Sequence, residues 1–308
     1  MMDVARFGKV AVLMGGSSSE REISLRSGTA VLNALTEMHV DATGIDVSGD
    51  VFQRLRAEKF DRAFIALHGF LGEDGSIQGG LDVIGMPYSG CGVLASSVCM
   101  NKWMTKQIWS GQGIPTPAFR ILKEALDPDA LVKELGLPMV FKPASQGSSI
   151  GITKVNAKDE IIPAWEHARE LEGTVIAEEW IDGQEYTAAV LTDQILPMIR
   201  LETPRTFYDF DAKYQSSDTR YHCPCGLSAA QETSIKEQAL QAFKVTAATG
   251  WGRIDLMLDS HHQPWFLEIN TVPGMTDHSL VPMAAKAEGI NFNDLVIRIL
   301  ETSFSEHA

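Results

Sequence analysis

Val10-Ala-Val-Leu-Met14 is an uninterrupted apolar run closed by Gly15-Gly16, which has the length and boundary of a buried strand. Ser19 and Glu22 follow at capping-box spacing and predict a helix running to about Glu37. Extended stretches at 40–47 and 62–67 enclose a helical pattern from Val51 to Lys59. This alternation predicts an α/β unit, a parallel sheet covered by helices, ending near Met100.

The pattern restarts with a helix from Lys102 to Gln112, broken by Pro115 and Pro117. Met139-Val-Phe-Lys142 reads as a strand, 143–151 as a polar loop and 175–181 as another strand. Beyond these, 187–191, 196–201, 252–258 and 265–270 supply the strands of a third unit. The segment 203–227 is long, aromatic, charged and without a period, as expected of a lid. Three domains are therefore expected, at 1–100, 101–183 and 184–308, the last carrying the lid.

Composition narrows the function. A chain of 308 residues, 44% apolar and 21% charged, is long enough for two or three units sharing a substantial core. A net charge of −14 argues against gripping nucleic acid or an anionic membrane, so an anionic substrate has to meet a local cluster of cations. Residues 1–9 lack a basic region followed by an apolar signal core, and no segment has the apolar length of a bilayer span, so a cytoplasmic protein is expected. Cys223 and Cys225 are spaced Cys-x-Cys, neither a zinc knuckle nor a redox pair; with Cys91 and Cys99 they read as reduced and non-catalytic.

The chemistry concentrates in two alternating segments, Arg253-Ile-Asp255-Leu-Met-Leu258 and Phe266-Leu-Glu268-Ile-Asn270, joined by a turn-rich connection. Period two puts Arg253 and Asp255 on one face and Glu268 and Asn270 on one face. Ile254, Leu256, Leu267 and Ile269 are then expected toward the core. If the hairpin pairs the polar faces, three hard oxygen donors converge without thiolate or imidazole, a set suited to Mg²⁺ on nucleotide phosphates. The sequel contains Pro273-Gly274, where glycine permits a tight turn that exposes an N–H. With the Arg253 guanidinium, that N–H is a candidate pair of oxyanion donors. Phe141-Lys142-Pro143 followed by Gly147-Ser-Ser-Ile-Gly151 delivers a lysine beside a loop of small residues. It is not a Walker loop, and no Gly-x-Gly-x-x-Gly follows the first strand. Glu20, His68, Lys213 and Tyr214 are further polar candidates on expected loops. Taken singly, each of these features also has an ordinary structural explanation.

Together the motifs resemble the D-alanine–D-alanine ligases of the ATP-grasp superfamily. The matching segments are Gly15–Glu22, Ala66–Gly69, Gly72–Gly79, Phe141–Gly151, Phe207–Tyr214, Gly252–Asp255, Glu268–Met275 and Asp277–Pro282, spread over nearly the whole chain. The resemblance implies a three-domain ATP-grasp architecture, with an N-terminal parallel α/β domain and two α+β domains clamping ATP.

It also implies roles. Lys102, Lys142 and Lys213 match phosphate-contacting lysines, and Ser148 joins the ATP contacts. Adenine runs along Glu178, Glu179, Trp180 and Ile181, and Glu185 matches the ribose-binding carboxylate. Asp255, Glu268 and Asn270 match the ligands of two Mg²⁺ ions, with Mn²⁺ an alternative. Glu20 matches the anchor of the first D-alanine ammonium, with His68 nearby, and Ser279 and Leu280 match the site of the second D-alanine. Arg253 and Gly274 match the oxyanion donors, and Ser148 and Tyr214 form a set with Glu20 that ties down the lid. Tyr214, where ester-forming relatives typically carry phenylalanine, favours an amine as second nucleophile. The implied activity is ATP-dependent formation of D-alanyl-D-alanine through a D-alanyl phosphate, serving peptidoglycan precursor synthesis by a homodimer. A D-alanine–D-lactate ligase and a non-catalytic nucleotide-binding module are the alternatives. Cys225 departs from the small residue usual at its position.

Overall fold

The computed structural model describes residues 3–122, 126–204, 218–276 and 278–305. The first unit runs β1 (Val10–Met14), α1 (Arg21–Glu37), β2 (Ala42–Asp46), α2 (Val51–Ala57), β3 (Arg62–Ile65), α3 (Ser76–Ile84) and α4 (Val93–Met100). Its sheet is parallel in the order β2-β1-β3, and Tyr88 extends it by a parallel bridge to Ala63. All five residues of β1 are buried, as a central strand covered on both faces requires. The expected capping box is absent. The N-cap is Glu20, without a side-chain cap bond, and Ser18 rather than Ser19 ties the turn, accepting from Glu20 N–H and donating to His68 C=O.

The middle of the chain continues α5 (Lys102–Gly111), β4 (Phe119–Leu122), α6 (Pro128–Leu135), β5 (Met139–Pro143), β6 (Thr153–Val155), α7 (Ile161–Leu171) and β7 (Val175–Glu179). Its four strands form an antiparallel sheet in the order β4-β7-β5-β6. The remainder supplies β8 (Gly183–Leu191), β9 (Gln194–Ile195), β10 (Ile199–Glu202), β11 (Arg220–His222), α8 (Ala229–Lys244), β12 (Trp251–Asp259), β13 (Pro264–Asn270), α9 (Leu280–Ala287) and α10 (Phe292–Glu301). Here the strand order is β11-β10-β8-β12-β13, with β9 on β8.

Two departures have local causes. Of the single strand expected at 196–201 only the part from Ile199 forms, as β10, because Pro197 has no N–H for a ladder. Within the expected lid, 205–217 lie outside the described residues, but Arg220–His222 pair antiparallel with β10, so that end belongs to the sheet.

Packing does not follow chain order. The core of the first sheet also takes in Val272, Met275, Leu280, Val281 and the apolar face of α10, which lies against α1. The end of the chain therefore closes the unit that begins it. A second core joins Trp109 of α5 to Phe243 of α8 and to Ile254 and Phe266 of the last hairpin.

In that hairpin strict alternation fails once. Arg253, Ile254 and Asp255 face Asn270, Ile269 and Glu268, but Leu256 faces Phe266, so Leu267 is the extra residue of a β-bulge. The bulge turns Phe266 into the core, with no exposed surface and its ring centroid 5.9 Å from that of Trp109, and leaves the expected core residue Leu267 half-buried. Denaturant unfolding therefore separates the two residues. Phe266→Ala is expected to cost about 3–5 kcal/mol by opening a cavity, and Leu267→Ala about 1 kcal/mol. The reverse order would mean an unbroken register.

Candidate active site

The pairing of β12 with β13 and β8 brings one polar cluster together. Asp255 stands opposite Glu268 on one side and Thr187 on the other. Arg253 grips it as a fork, Nε to Oδ1 at 2.8 Å and Nη2 to Oδ2 at 2.7 Å. Thr187 Oγ1 donates to Oδ1 at 2.8 Å and Asn270 Nδ2 to Oδ2 at 3.1 Å. Both oxygens of this buried carboxylate thus accept two hydrogen bonds each, the full complement of lone-pair sites. Glu268 lies 3.4 Å from Lys102 Nζ, which also donates to Gln146 C=O at 2.6 Å. The oxygens of Asp255, Glu268 and Asn270 are a hard donor set, already neutralised by neighbouring cations, and their chemistry fits Mg²⁺. A metal ion at Asp255 has to take a lone pair now held by Arg253, Thr187 or Asn270.

A second acid–base group lies under the middle sheet. Glu178, buried on β7, takes Lys142 of β5 at 2.8 Å and Lys106 of α5 at 3.3 Å. Lys106 has no exposed surface and donates to Thr116 Oγ1 at 2.7 Å. Burial pushes its ammonium down to about 8, against the opposing pull of Glu178. Trp180, just past β7, lies under Lys154 Nζ at 3.9 Å from its ring centre. Glu179 and Trp180 direct their backbone N–H groups to Ala118 and Pro138 carbonyls. Glu185 sits on β8 opposite Met257 and Leu201, and Ile181 is buried beside it in the chain turn leading into that strand.

The third group belongs to the loops above the parallel sheet. Glu20 is buried and accepts a hydrogen bond from Ser148 Oγ. Ser148 and Ser149 have φ of 52° and 58°, left-handed values that non-glycine residues adopt at a cost, and this conformation carries the serine to Glu20. Gly69, with φ of 68°, leaves room for the same carboxylate, because a Cβ there would lie 2.6 Å from Glu20 Oε2. Behind it Glu73 accepts from Gly69 N–H at 2.8 Å and Val272 N–H at 3.3 Å. Burial, then the charge of Glu20, pushes the Glu73 carboxyl up to about 8. His68 meets Val272 C=O through Nδ1 at 2.8 Å and Ser27 Oγ through Nε2 at 3.1 Å; burial holds its imidazole below the usual histidine range.

Gly274 and Ser279 complete the set. Glycine at 274 is explained by close approach and not by a left-handed turn, since a Cβ would lie 2.9 Å from Ser279 Oγ. Ser279 is the N-cap of α9 without capping it; its Oγ instead accepts from Thr276 N–H at 2.9 Å. The hydroxyl therefore faces the Pro273–Thr276 turn beside the positive end of a helix.

One cavity of about 1560 Å³ is lined by Glu20, His68, Ser148, Arg253, Asn270, Gly274, Ser279 and Leu280, more room than two small amino acids need. Asp255 lies behind Arg253, while Lys102 and Glu268 are paired with each other, and Lys142 and Glu178 likewise. Lys213 and Tyr214 lie outside the described residues. Sequence reasoning missed Ser27, Glu73, Lys106 and Thr187. Two signals were available: Lys106 is one turn from Lys102 on the helix face that buries Trp109, and alternation along β8 sets Thr187 beside Glu185.

Two family models match most of the chain. One described as the D-ala D-ala ligase C-terminus matches residues 108–301, and one described as the N-terminus matches 48–91. A D-alanine–D-alanine ligase of Pseudomonas fluorescens is 55% identical over 297 residues, covering 96% of this chain and 92% of the relative. One from Methylococcus capsulatus is 52% identical and covers 99% of both. Among solved structures, the Bacillus anthracis D-alanine–D-alanine ligase complexed with ATP superposes with a TM-score of 0.86 at 34% identity, covering 96% of this chain and 97% of that one. The VanG D-Ala:D-Ser ligase of Enterococcus faecalis gives 0.82 at 30% identity, covering 96% and 99%. Sequence and fold match over nearly the whole length, and the chain belongs to the D-alanine–D-alanine ligase family.

Proposed function

We propose that the chain joins two D-alanines at the expense of ATP, releasing ADP and phosphate, as a step toward peptidoglycan precursors. The observation that carries this reading is the single cavity shared by a buried carboxylate at Glu20, the Arg253 guanidinium, Gly274 and Ser279. It supplies groups of the right sign for an ammonium, an oxyanion and a carboxylate, and two residues suited to phosphates, Lys142 and Lys102, lie on β5 and at the start of α5. A cytoplasmic homodimer using two Mg²⁺ ions, the three-domain division and the individual residue roles are part of the proposal.

ATP lies between the middle sheet and the last hairpin, with adenine along 178–181, Glu185 at the ribose, and Lys102, Lys142 and Lys213 at the phosphates. Glu20 holds the ammonium of the first D-alanine, so that its carboxylate faces the γ-phosphate. That carboxylate attacks phosphorus, the bond to the β-phosphate oxygen breaks, and ADP and D-alanyl phosphate result. Asp255, Glu268 and Asn270 would hold Mg²⁺, which offsets the charge on the phosphate oxygens. The amine of the second D-alanine, its carboxylate at Ser279 and the N-terminus of α9, attacks the acyl carbon. The Arg253 guanidinium and Gly274 N–H hold the developing oxyanion, which collapses with loss of phosphate. Tyr214 and Ser148 close the lid over Glu20 and exclude water from the acyl phosphate.

Incubation with ATP, Mg²⁺ and D-alanine, with products identified by mass spectrometry, is expected to yield D-alanyl-D-alanine and one phosphate per dipeptide. Arg253→Ala is expected to lower kcat by about 10²–10³. Glu268→Gln should also impair turnover; unimpaired synthesis by either variant would remove that residue from the mechanism. Chelation by EDTA should abolish turnover, and added Mg²⁺ should restore it. With D-alanine and D-lactate both offered at neutral pH, the amide should dominate, and Tyr214→Phe should raise the share of ester. A wild-type product that is mainly ester would instead assign the depsipeptide activity.

A further inference from the structure

The segment Val272–Met275, which carries Gly274, is bonded on both sides to the first unit of the chain. Val272 donates its N–H to Glu73 and accepts at its carbonyl from His68 Nδ1. Met275 donates its N–H to Ser27 Oγ at 3.1 Å. Ser27 and His68 Nε2 are themselves 3.1 Å apart, so the ring closes: Val272, His68, Ser27, Met275. Between the two tethered peptides lie only Pro273, which has no N–H, and Gly274, whose N–H donates to none of the described residues.

The bond to Val272 fixes which ring nitrogen carries a hydrogen. A carbonyl accepts only, so Nδ1 carries the hydrogen given to Val272. In the neutral ring Nε2 is then an acceptor, and it takes the hydroxyl hydrogen of Ser27, whose oxygen remains open to Met275 N–H. Both ring nitrogens are therefore in use within the protein, and neither is left to contact an amino-acid substrate. Although His68 borders the cavity, its polar atoms point away from the role that family resemblance suggests for it.

We infer that His68, Ser27 and Glu73 form a clamp that sets the Gly274 peptide for the oxyanion, and that His68 is a positioning residue for this reaction rather than a substrate ligand. The inference rests on the proposed role of Gly274 in the ligase reaction. An oxyanion donor works only when fixed before the charge develops, and small displacements of such a group are costly in rate. The clamp supplies that fixation from the same loop system that presents Glu20. Glu20 is the N-cap of α1 and Ser27 lies two turns along that helix, while His68 and Glu73 belong to the connection after β3.

The test is a split between kcat and KM in His68→Ala, His68→Asn and Ser27→Ala, assayed as dipeptide formation against both D-alanine sites. His68→Ala and Ser27→Ala are expected to lower kcat by about 10- to 100-fold, with KM for each D-alanine within about twofold of wild type, because no substrate contact is lost. Asparagine places a donor near the position of Nδ1, so His68→Asn should recover most of kcat. A KM for D-alanine raised severalfold with kcat retained would assign His68 to the substrate and overturn the clamp. Unchanged kinetics in all three variants would overturn it too. If His68→Ala does not fold, His68→Asn and Ser27→Ala carry the same comparison, and failure of Asn to outperform Ala, or of Ser27→Ala to affect kcat, counts against the proposal. Failure of the wild-type chain to form dipeptide is a separate outcome, which would remove the ligase reading itself.

Discussion

A carboxylate removed from water has to be met by a cation or by enough hydrogen-bond donors, because the desolvation of an unpaired ion costs several kcal/mol or more. Around this site two buried carboxylates meet the requirement, Asp255 by the Arg253 fork and Glu178 by Lys142 and Lys106, and the partly buried Glu268 is paired with Lys102. Much of the layout follows. A chain with net charge −14 gathers these cations where strands of two different sheets and the start of α5 approach each other. Without ligands they neutralise acids; in the proposed mechanism Lys102 and Lys142 would turn to phosphate oxygens, Asp255 and Glu268 would hold the metal, and Lys106 would stay on Glu178. Such an exchange keeps the charge around these three acids nearly balanced before and after binding.

The substrate side depends on a different constraint, the shared core at the two ends of the chain. Val272, Met275, Leu280 and α10 are buried with β1 and α1. The turn carrying Gly274 is thereby fixed to the unit that carries Glu20, although more than 250 residues of sequence separate them. Hydrogen bonds from Glu73, His68 and Ser27 refine a position that apolar packing has already set. Rigid elements on both sides are what a site for charge development requires.

Much of this was legible in the sequence because periodicity survives in the regular elements. The uninterrupted apolar run of β1 is a strand buried on both faces, and the alternation at Arg253 and Asp255 and the pair Glu268 and Asn270 lie where period two places them. Legibility fails where geometry breaks the period. The bulge exchanges Phe266 for Leu267 in the core, and nothing in an apolar pair announces which member turns inward. Pro197, by contrast, could have marked the late start of the strand expected at 196–201, because its lost N–H is visible in the residue type. Ser19 fitted a capping box, but the turn is held by Ser18 and Ser24, through bonds to His68 and Ala66 that no local pattern contains. Ser27 and Glu73 were invisible for the same reason: their partners Met275 and Val272 lie across the fold.

The recognition groups also impose a direction on the proposed reaction. Both substrates are the same zwitterion, so the site has to tell them apart by orientation alone. A buried carboxylate at Glu20, within reach of Ser148, favours an ammonium and repels a carboxylate. An amino acid held there by its ammonium turns its carboxylate away, toward the basic groups suited to phosphate. At the other end, Ser279 and the start of α9 offer a hydroxyl, backbone N–H groups and a positive helix end, which favour a carboxylate. An amino acid held there turns its amine inward. The two fields are opposite in sign, so the proposed reaction would orient one molecule as the electrophile and the other as the nucleophile, with Arg253 and Gly274 bordering the same cavity.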